Sequence, residues 1–282
     1  MMNKDKLTSI IKKKTIEENI SFNVLLQIYF FECFLNRLSN SKYKNNVILK
    51  GGFLISSILG ISERSTLDLD FNVVSIPFTV NSVEEMVNDI NNINVKDNID
   101  FELIKINDIM QQNQYSGYQV SLIGKLDNIH VPFSIDVATG DPITPSKKTY
   151  YYKSLILDKN IELYSYNIET VLSEKIQTII DKSFGNSRMK DFYDIYLLMK
   201  LRRNYIDYNL LKTALKNTFE YRKTKLDLEN VASIINVLET DTEFIKRWTN
   251  YVKKNYYVDD IEFKAVSNEI RKLVETILKV NI

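Results

Sequence analysis

Histidine and cysteine each occur once among the 282 residues, as His130 and Cys33. A single cysteine excludes an intrachain disulfide framework. Its setting in the apolar run FFECFL fits a small buried hydrophobe better than a nucleophile. A single histidine removes most zinc chemistry, which draws on several His or Cys ligands, and weakens any Ser-His-Asp or Cys-His scheme. His130 precedes VPF at an expected turn before a strand, a structural place. Net charge is also lacking: 37 Lys plus Arg against 36 Asp plus Glu leave +1, so any nucleic-acid site must be a local patch. No stretch approaches 18 uncharged apolar residues, and the N-terminal MMNKDKLTSIIKKK lacks the apolar core of a secretory signal. The cytoplasm is therefore the expected compartment, with no membrane partner.

Hydrophobic residues make up 44% of the chain, enough for one large core or two modest ones, with two slightly favoured. The first forty residues read helical, with FNVLLQIYFFECFLNRL as a core-packing helix. VILKGG reads as a strand running into a glycine bend, and FLISSILG as a short helix closed by Gly60. In LDLDFNVV, Leu67, Leu69, Phe71 and Val73 alternate with Asp68, Asp70 and Asn72, which predicts a strand carrying both aspartates on one face. A helix is expected from Ser82 to Ile93 with Ser82 as its cap. FELIKINDI, YSGYQVSLIGKL and HVPFSIDVATG read as strands of a mixed or antiparallel sheet, with an irregular turn at Gly117. From Tyr164 onward helical periodicity dominates. The boundary is placed near residues 155–165, after the turn-rich DPITPSKKTYYYK, giving units 1–160 and 161–282.

Asp68 and Asp70 are the most informative pair: two carboxylates on an otherwise apolar strand, sixteen residues after a Gly-Gly element. Close carboxylates repel unless a cation sits between them, and hard oxygen ligands suit Mg2+ or Mn2+. Asp136, in FSIDVATGD, is the expected third carboxylate if its strand lies beside the first. Asp141 is expected to order the following turn. Gly51 and Gly52 admit a tight backbone approach to a phosphate, with helix N–H groups behind it. Lys50 adds positive charge at that bend, and Arg64 and Thr66 stand where they could position the strand or a phosphate tail. Further on, Asp191 and Asp194 share a helix face. With Lys175 and Arg188 they read, from spacing alone, as a surface charge network tying two helices.

The blocks LKGGFLISSILGISERSTLDLDF, FSIDVATGDP and SEKIQTIIDKSFGNSRMKDFYDIYLL, in this order, resemble the AbiEii/AbiGii toxins, nucleotidyltransferase-like toxins of abortive-infection and type IV toxin–antitoxin systems that act in phage defence. The resemblance spans about residues 45 to 200. It implies an α+β fold: a polymerase-beta-like domain with a mixed sheet, then a helical domain contributing to the active cleft. It maps the metal and nucleotide site onto Gly51, Gly52, Asp68 and Asp70. Lys175 corresponds to the family's EK lysine. Lys190, Asp191 and Asp194, with Arg188 nearby, correspond to its basic-Asp-x-x-Asp block. Many relatives carry Gly-Ser at the bend; this chain has Gly-Gly before Phe53, so a hydroxyl contact to phosphate is missing there while the backbone contact remains. The implied activity is transfer of a nucleoside monophosphate from an NTP, with GTP or CTP as the nucleotide, to an acceptor, tRNA first. Asp68, Asp70, Asp136, Lys175 and Asp191 are the implied catalytic set. A genetically linked antitoxin is implied too, without a need for direct contact. Two rivals remain: a nucleotidyltransferase acting on a protein or small molecule, and a non-enzymatic nucleotide-binding module. KKTYYYK, MKLRRNY and WTNYVKKNYY combine basic and aromatic residues that suit RNA, or else are solvated faces over satellite core aromatics.

Overall fold

The computed structural model describes residues 2–111, 115–258 and 260–280. The chain divides into two compact units, Met1–Gly140 with Lys148–Ser165, and Asp141–Lys147 with Tyr166–Ile282.

The first unit begins with two helices, α1 (Lys4–Glu18) and α2 (Phe22–Ser39). They are separated at Asn19, in left-handed conformation, and at the cap Ser21, whose hydroxyl accepts from the Val24 N–H. From Ile28 to Leu38 every residue of α2 is buried, so its apolar character runs all round. Among the described residues seven strands form one mixed sheet: β1 (Val47–Lys50), β2 (Leu69–Val73), β3 (Asp100–Gln111), β4 (Tyr115–Leu126), β5 (Ile129–Thr139), β6 (Lys148–Lys153) and β7 (Asn160–Ser165). Their spatial order is β3-β4-β5-β2-β1-β7-β6, with β2–β5 and β1–β7 parallel. Two shorter helices follow β1 and β2, α3 (Gly51–Leu59) and α4 (Val80–Asn91). Phe30, Phe31 and Phe34 of α2 meet Phe101, Phe133, Phe53 and Phe71, mostly edge to face. Gly124 makes room for this packing: a β-carbon there would lie 2.2 Å from the Phe30 ring.

Several sequence expectations shift. The Asp68–Asp70 strand begins at Leu69, and Leu67 is 42% exposed, so the alternation does not extend to Asp68. The helix expected at Ser82 starts at Val80, because Thr79 takes the cap and its hydroxyl accepts from the Ser82 N–H. His130 lies inside β5, and Gly117 inside β4 opposite Ala138, so neither is a turn residue. Residues 112–114, between β3 and β4, fall outside the described residues. KTYYYK, within the stretch expected to be turn-rich, is β6, and NIELYS is β7. Three successive tyrosines conceal a period of two in which Tyr152 is buried and Tyr151 is 63% exposed. The expected boundary at residue 160 falls at the start of β7.

A buried carboxylate ties α2 to these two strands. Glu32 accepts from the Tyr152 hydroxyl at 2.9 Å and from the N–H groups of Leu155, Ile156 and Leu157 at 2.5, 3.0 and 3.1 Å. Four donors satisfy the carboxylate, and three of them are backbone groups of the β6–β7 turn that the strand ladder leaves unused.

In the second unit α5 (Ile168–Lys182), α6 (Met189–Arg202), α7 (Tyr208–Tyr221), α8 (Leu228–Leu238), α9 (Thr242–Lys254) and α10 (Phe263–Lys279) pack together. Asn167, Asp207, Asp227 and Asp241 cap α5, α7, α8 and α9 with side-chain oxygens. Phe263, Val266, Ile270, Leu273, Val274 and Ile277 of α10 are buried at helical spacing. The segment Asp141–Lys147 is pinned here through Thr144, which bonds Asn167, Thr170 and Asn217, and through Asp141, which pairs with Arg222 at 3.1 Å. Among the described residues no helix is long and apolar enough to cross a membrane.

Burial pushes the Glu32 carboxyl up to about 7 from its ordinary 4.5, against the pull of its four donors. The folded chain therefore holds this proton more tightly than the unfolded chain does. Glu32's contribution to stability is greatest below about pH 4.5 and declines as pH rises to about 7, by on the order of 3 kcal/mol. Urea unfolding of the wild type and of Glu32→Gln across pH 4.5–8 should give curves whose difference carries that slope; parallel curves would remove the titration from Glu32.

Candidate functional site

One row of side-chain positions crosses the middle of the sheet. Lys50, the last residue of β1, is register partner of Asp70 on β2; Asp70 is partner of Asp136 on β5; and Asp136 is partner of Gln119 on β4. Register partners point to the same face. At about 4.8 Å per strand the row Lys50–Asp70–Asp136–Gln119 spans roughly 14 Å, with the two carboxylates at its centre. Gln119 Nε2 donates to Asp136 Oδ1 at 3.1 Å and fixes the orientation of that carboxyl.

The glycine bend closes on the same point. Gly51 has φ +67°, and a β-carbon on it would lie 2.0 Å from Asp70 Oδ2. No other residue type leaves that space open. The Gly52 N–H, at the start of α3, donates to Asp70 Oδ2 at 3.3 Å. A β-carbon on Gly52 would stand 3.0 Å from Thr66 Oγ1 and 3.4 Å from Arg64 Nη2, both residues being buried. Arg64 Nη1 donates to the Ser65 carbonyl at 2.5 Å, and Thr66 Oγ1 accepts from the Asp68 N–H at 3.2 Å. Gly51, Gly52, Arg64, Thr66 and Asp70 are thus brought into one neighbourhood. Phe53, which follows the bend, is a core residue packed on Phe31 and Tyr152.

Asp68 is exposed and precedes β2. Among the described residues no three His, Cys, Asp or Glu side chains group closely enough to hold a metal ion, so Asp68 is not gathered with Asp70 and Asp136 into one cluster. Two hard carboxylates on neighbouring strands fit a Mg2+-like ion, which takes one or two protein carboxylates and completes its shell with water and substrate phosphates.

The second unit carries a separate ionic cluster. Lys175 on α5 reaches Asp191 at 2.9 Å and Asp194 at 2.7 Å on α6, and Arg188 Nε reaches the other Asp191 oxygen at 2.8 Å. The spacing alone predicts a surface network, but Asp191 and Asp194 are buried and the Lys175 side chain is only 12% exposed; Arg188, with its side chain 53% exposed, faces solvent. Burial works against the Lys175 charge, yet the two carboxylates outweigh it and hold the ammonium above its ordinary range. Burial likewise opposes the Asp191 carboxylate, and Lys175 and Arg188 overcome it, holding Asp191 below its usual range. Lys190 is half-buried beside this cluster in sequence.

The family model of the nucleotidyl transferase AbiEii toxin, type IV toxin–antitoxin system, matches residues 33–270. The chain belongs to the AbiEii toxin family. This AbiEii protein is thereby a nucleotidyltransferase of a toxin–antitoxin system, and the match spans the row, the glycine bend and the Lys175 cluster alike. In fold it is similar to JHP933 from Helicobacter pylori, with TM-score 0.56 and 13% identity over 92% of this chain and 94% of that one. A candidate nucleotidyltransferase from the same organism is also similar, with TM-score 0.51 and 14% identity over 92% and 96%. A comparison with curated proteins gives no match.

Sequence reasoning missed Gln119: alternation in YSGYQVSLI gives its face, but no local signal gives its register opposite Asp136. Two substitutions probe the AbiEii site and its ionic cluster. Gly51→Ala should displace the Asp70 carboxylate and lower nucleotidyl transfer by at least about a hundredfold while circular dichroism stays unchanged; near-normal turnover would remove the close approach from the mechanism. Lys175→Met should cost about 3–5 kcal/mol in urea unfolding by stranding two buried carboxylates, whereas a loss under about 1 kcal/mol would show that water reaches them.

Proposed function

We propose that this AbiEii protein transfers a nucleoside monophosphate from a nucleoside triphosphate to an RNA acceptor, tRNA first, in a metal-dependent reaction. What supports the reading most is the convergence of the Gly51–Gly52 backbone on the Asp70 carboxylate, in register with Asp136. A divalent ion, when bound, would polarise the α-phosphate and offset the charge of the departing pyrophosphate. Asp70 and Asp136, together with Asp68, are the residues that would hold it.

This chain's own groups supply the rest. Asp136, oriented by Gln119, accepts the proton of the acceptor hydroxyl as its oxygen bonds to the α-phosphorus. The bond from the α-phosphorus to the bridging oxygen breaks, and the electron pair leaves with pyrophosphate. Backbone N–H groups at the start of α3 are proposed to receive phosphate oxygens without a side chain in the way, with Arg64 and Thr66 fixing the bend from beneath. In the helical unit the exposed guanidinium of Arg188, anchored on Asp191, is proposed to meet phosphate, and Lys175 and Asp194 hold that anchor. Lys190 is proposed to add a further cation on the same helix turn. GTP and CTP are the nucleotides to try first.

The test is incubation with bacterial RNA, Mg2+ and each labelled nucleoside triphosphate, beside Asp70→Asn. Label in tRNA-sized RNA, reduced about a thousandfold or more in the variant, is the expected result. A folded protein that labels a protein or small molecule instead would overturn the RNA acceptor and leave the transferase chemistry.

A further inference from the structure

The row through the two carboxylates does not end at Gln119. Gln119 on β4 is also the register partner of Asn107 on β3, so the row reads Lys50–Asp70–Asp136–Gln119–Asn107 across five strands of the first unit. Beside it runs a second row, in which Ser134 on β5 is partner of Ser121 on β4, and Ser121 is partner of Lys105 on β3. Residues two apart on a strand point to the same face, so Ser134, Ser121 and Lys105 share the face of Asp136.

Lys105 and Asn107 reach this face through an irregularity. Leu103 stands opposite Leu122, and the β3–β4 register shifts between Leu103 and Lys105. An unbroken ladder would set Ile104 opposite Ser121 and Ile106 opposite Gln119, with Lys105 turned to the other face, opposite the buried Val120. One extra residue on β3 thus brings an ammonium and an amide beside the carboxylates in place of two isoleucines, as bulges do next to active sites. The opposite face packs on α2 through Phe101 and Phe133. This one is open: Lys105 and Asn107 are exposed, and Gln119, Ser121 and Ser134 are half-buried. Further along, Glu102 engages Lys125 at 2.7 Å, so that pair adds no net charge.

In-line transfer sets the entering and leaving oxygens on opposite sides of the α-phosphorus. The glycine bend, where phosphate is proposed to sit, stands over Asp70 on the β1 side of the row. The acceptor hydroxyl must then arrive from the other side of Asp136, over β4 and β3. Across two strands Asn107 stands about 10 Å and Lys105 about 12 Å from Asp136. A terminal ribose and the long stem of Lys105 together cross that gap.

We propose that the β3–β4 hairpin is the acceptor shelf: the end of the RNA strand lies over Gln119 and Ser121, Lys105 meets the phosphodiester next to the reacting hydroxyl, and Asn107 hydrogen-bonds the terminal sugar. Amide, hydroxyl and ammonium groups suit a hydroxylated, anionic acceptor and disfavour a polycationic one. The proposal rests on the reading of nucleotidyl transfer to RNA and names the part of that site which takes the acceptor.

The experiment is steady-state transfer by the full chain, with RNA varied at saturating labelled nucleoside triphosphate and then the converse, for wild type, Lys105→Ala, Lys105→Arg and Asn107→Ala. Both alanine variants should melt as wild type does and raise KM for RNA, Lys105→Ala by about tenfold. The kcat and the KM for the nucleotide should stay unchanged, and Lys105→Arg should keep the RNA KM near wild type. In Lys105→Ala the dependence of log kcat/KM on log salt should flatten by about 0.7, the loss of one phosphate contact on a single strand. RNA labelling at unchanged RNA KM in both alanine variants would overturn the shelf and leave the RNA acceptor standing. An equal rise in nucleotide KM would overturn it too, by giving these residues to the nucleotide. Labelling of some other acceptor but no RNA, with a KM for that acceptor that rises in the alanine variants, would uphold the shelf and overturn the RNA reading.

Discussion

The Asp70 carboxylate occupies the space that a side chain on residue 51 would fill, and the architecture of the first unit follows from that close approach. The backbone turns with positive φ at Gly51, so β1 ends at Lys50 and α3 begins with the Gly52 N–H turned toward the carboxylate. The strand bearing Asp70 must be antiparallel to β1 and parallel to β5, so that Asp136 falls alongside. Like charges on neighbouring strands repel, and in the row the two carboxylates are flanked by Lys50 on one side and Gln119 on the other.

The protein handles its other buried charges in two ways. The Lys175 cluster is self-sufficient, with each carboxylate facing a cation and the cation facing both. Glu32 has no cation among its hydrogen-bond donors; it is matched by backbone and tyrosine groups, and burial prevails enough to raise its proton affinity. The first arrangement locks two helices of one unit, and the second fastens a helix to a turn more than a hundred residues away.

Much of the fold was legible because its strands and helices write their own periods. LDLDF, FSIDVATG and the long helical repeats revealed their elements, and the ordered blocks revealed the family. What could not be read was register. Nothing in YSGYQVSLI says that Gln119 stands opposite Asp136, and nothing in DLDF says that the strand begins after Asp68, because strand pairing is decided by distant partners. The tyrosines of β6 hid their alternation by being alike. Glu32 was invisible inside FFECFL, since most of its partners are backbone groups that carry no residue identity.

The segment Asp141–Lys147 leaves the sheet, joins the helices, and returns to supply β6 and β7 before the chain departs for good. No single cut separates the two units. A fragment ending at Gly140 lacks two strands and the partners of Glu32, and one starting at Tyr166 lacks Thr144 and Asp141, on which Asn167, Asn217 and Arg222 close. A single crossover after Ser165 would leave the first unit whole but give the helical unit a foreign Asp141–Lys147 segment, so the two parents must agree at Thr144 and Asp141 and at their partners Asn167, Asn217 and Arg222.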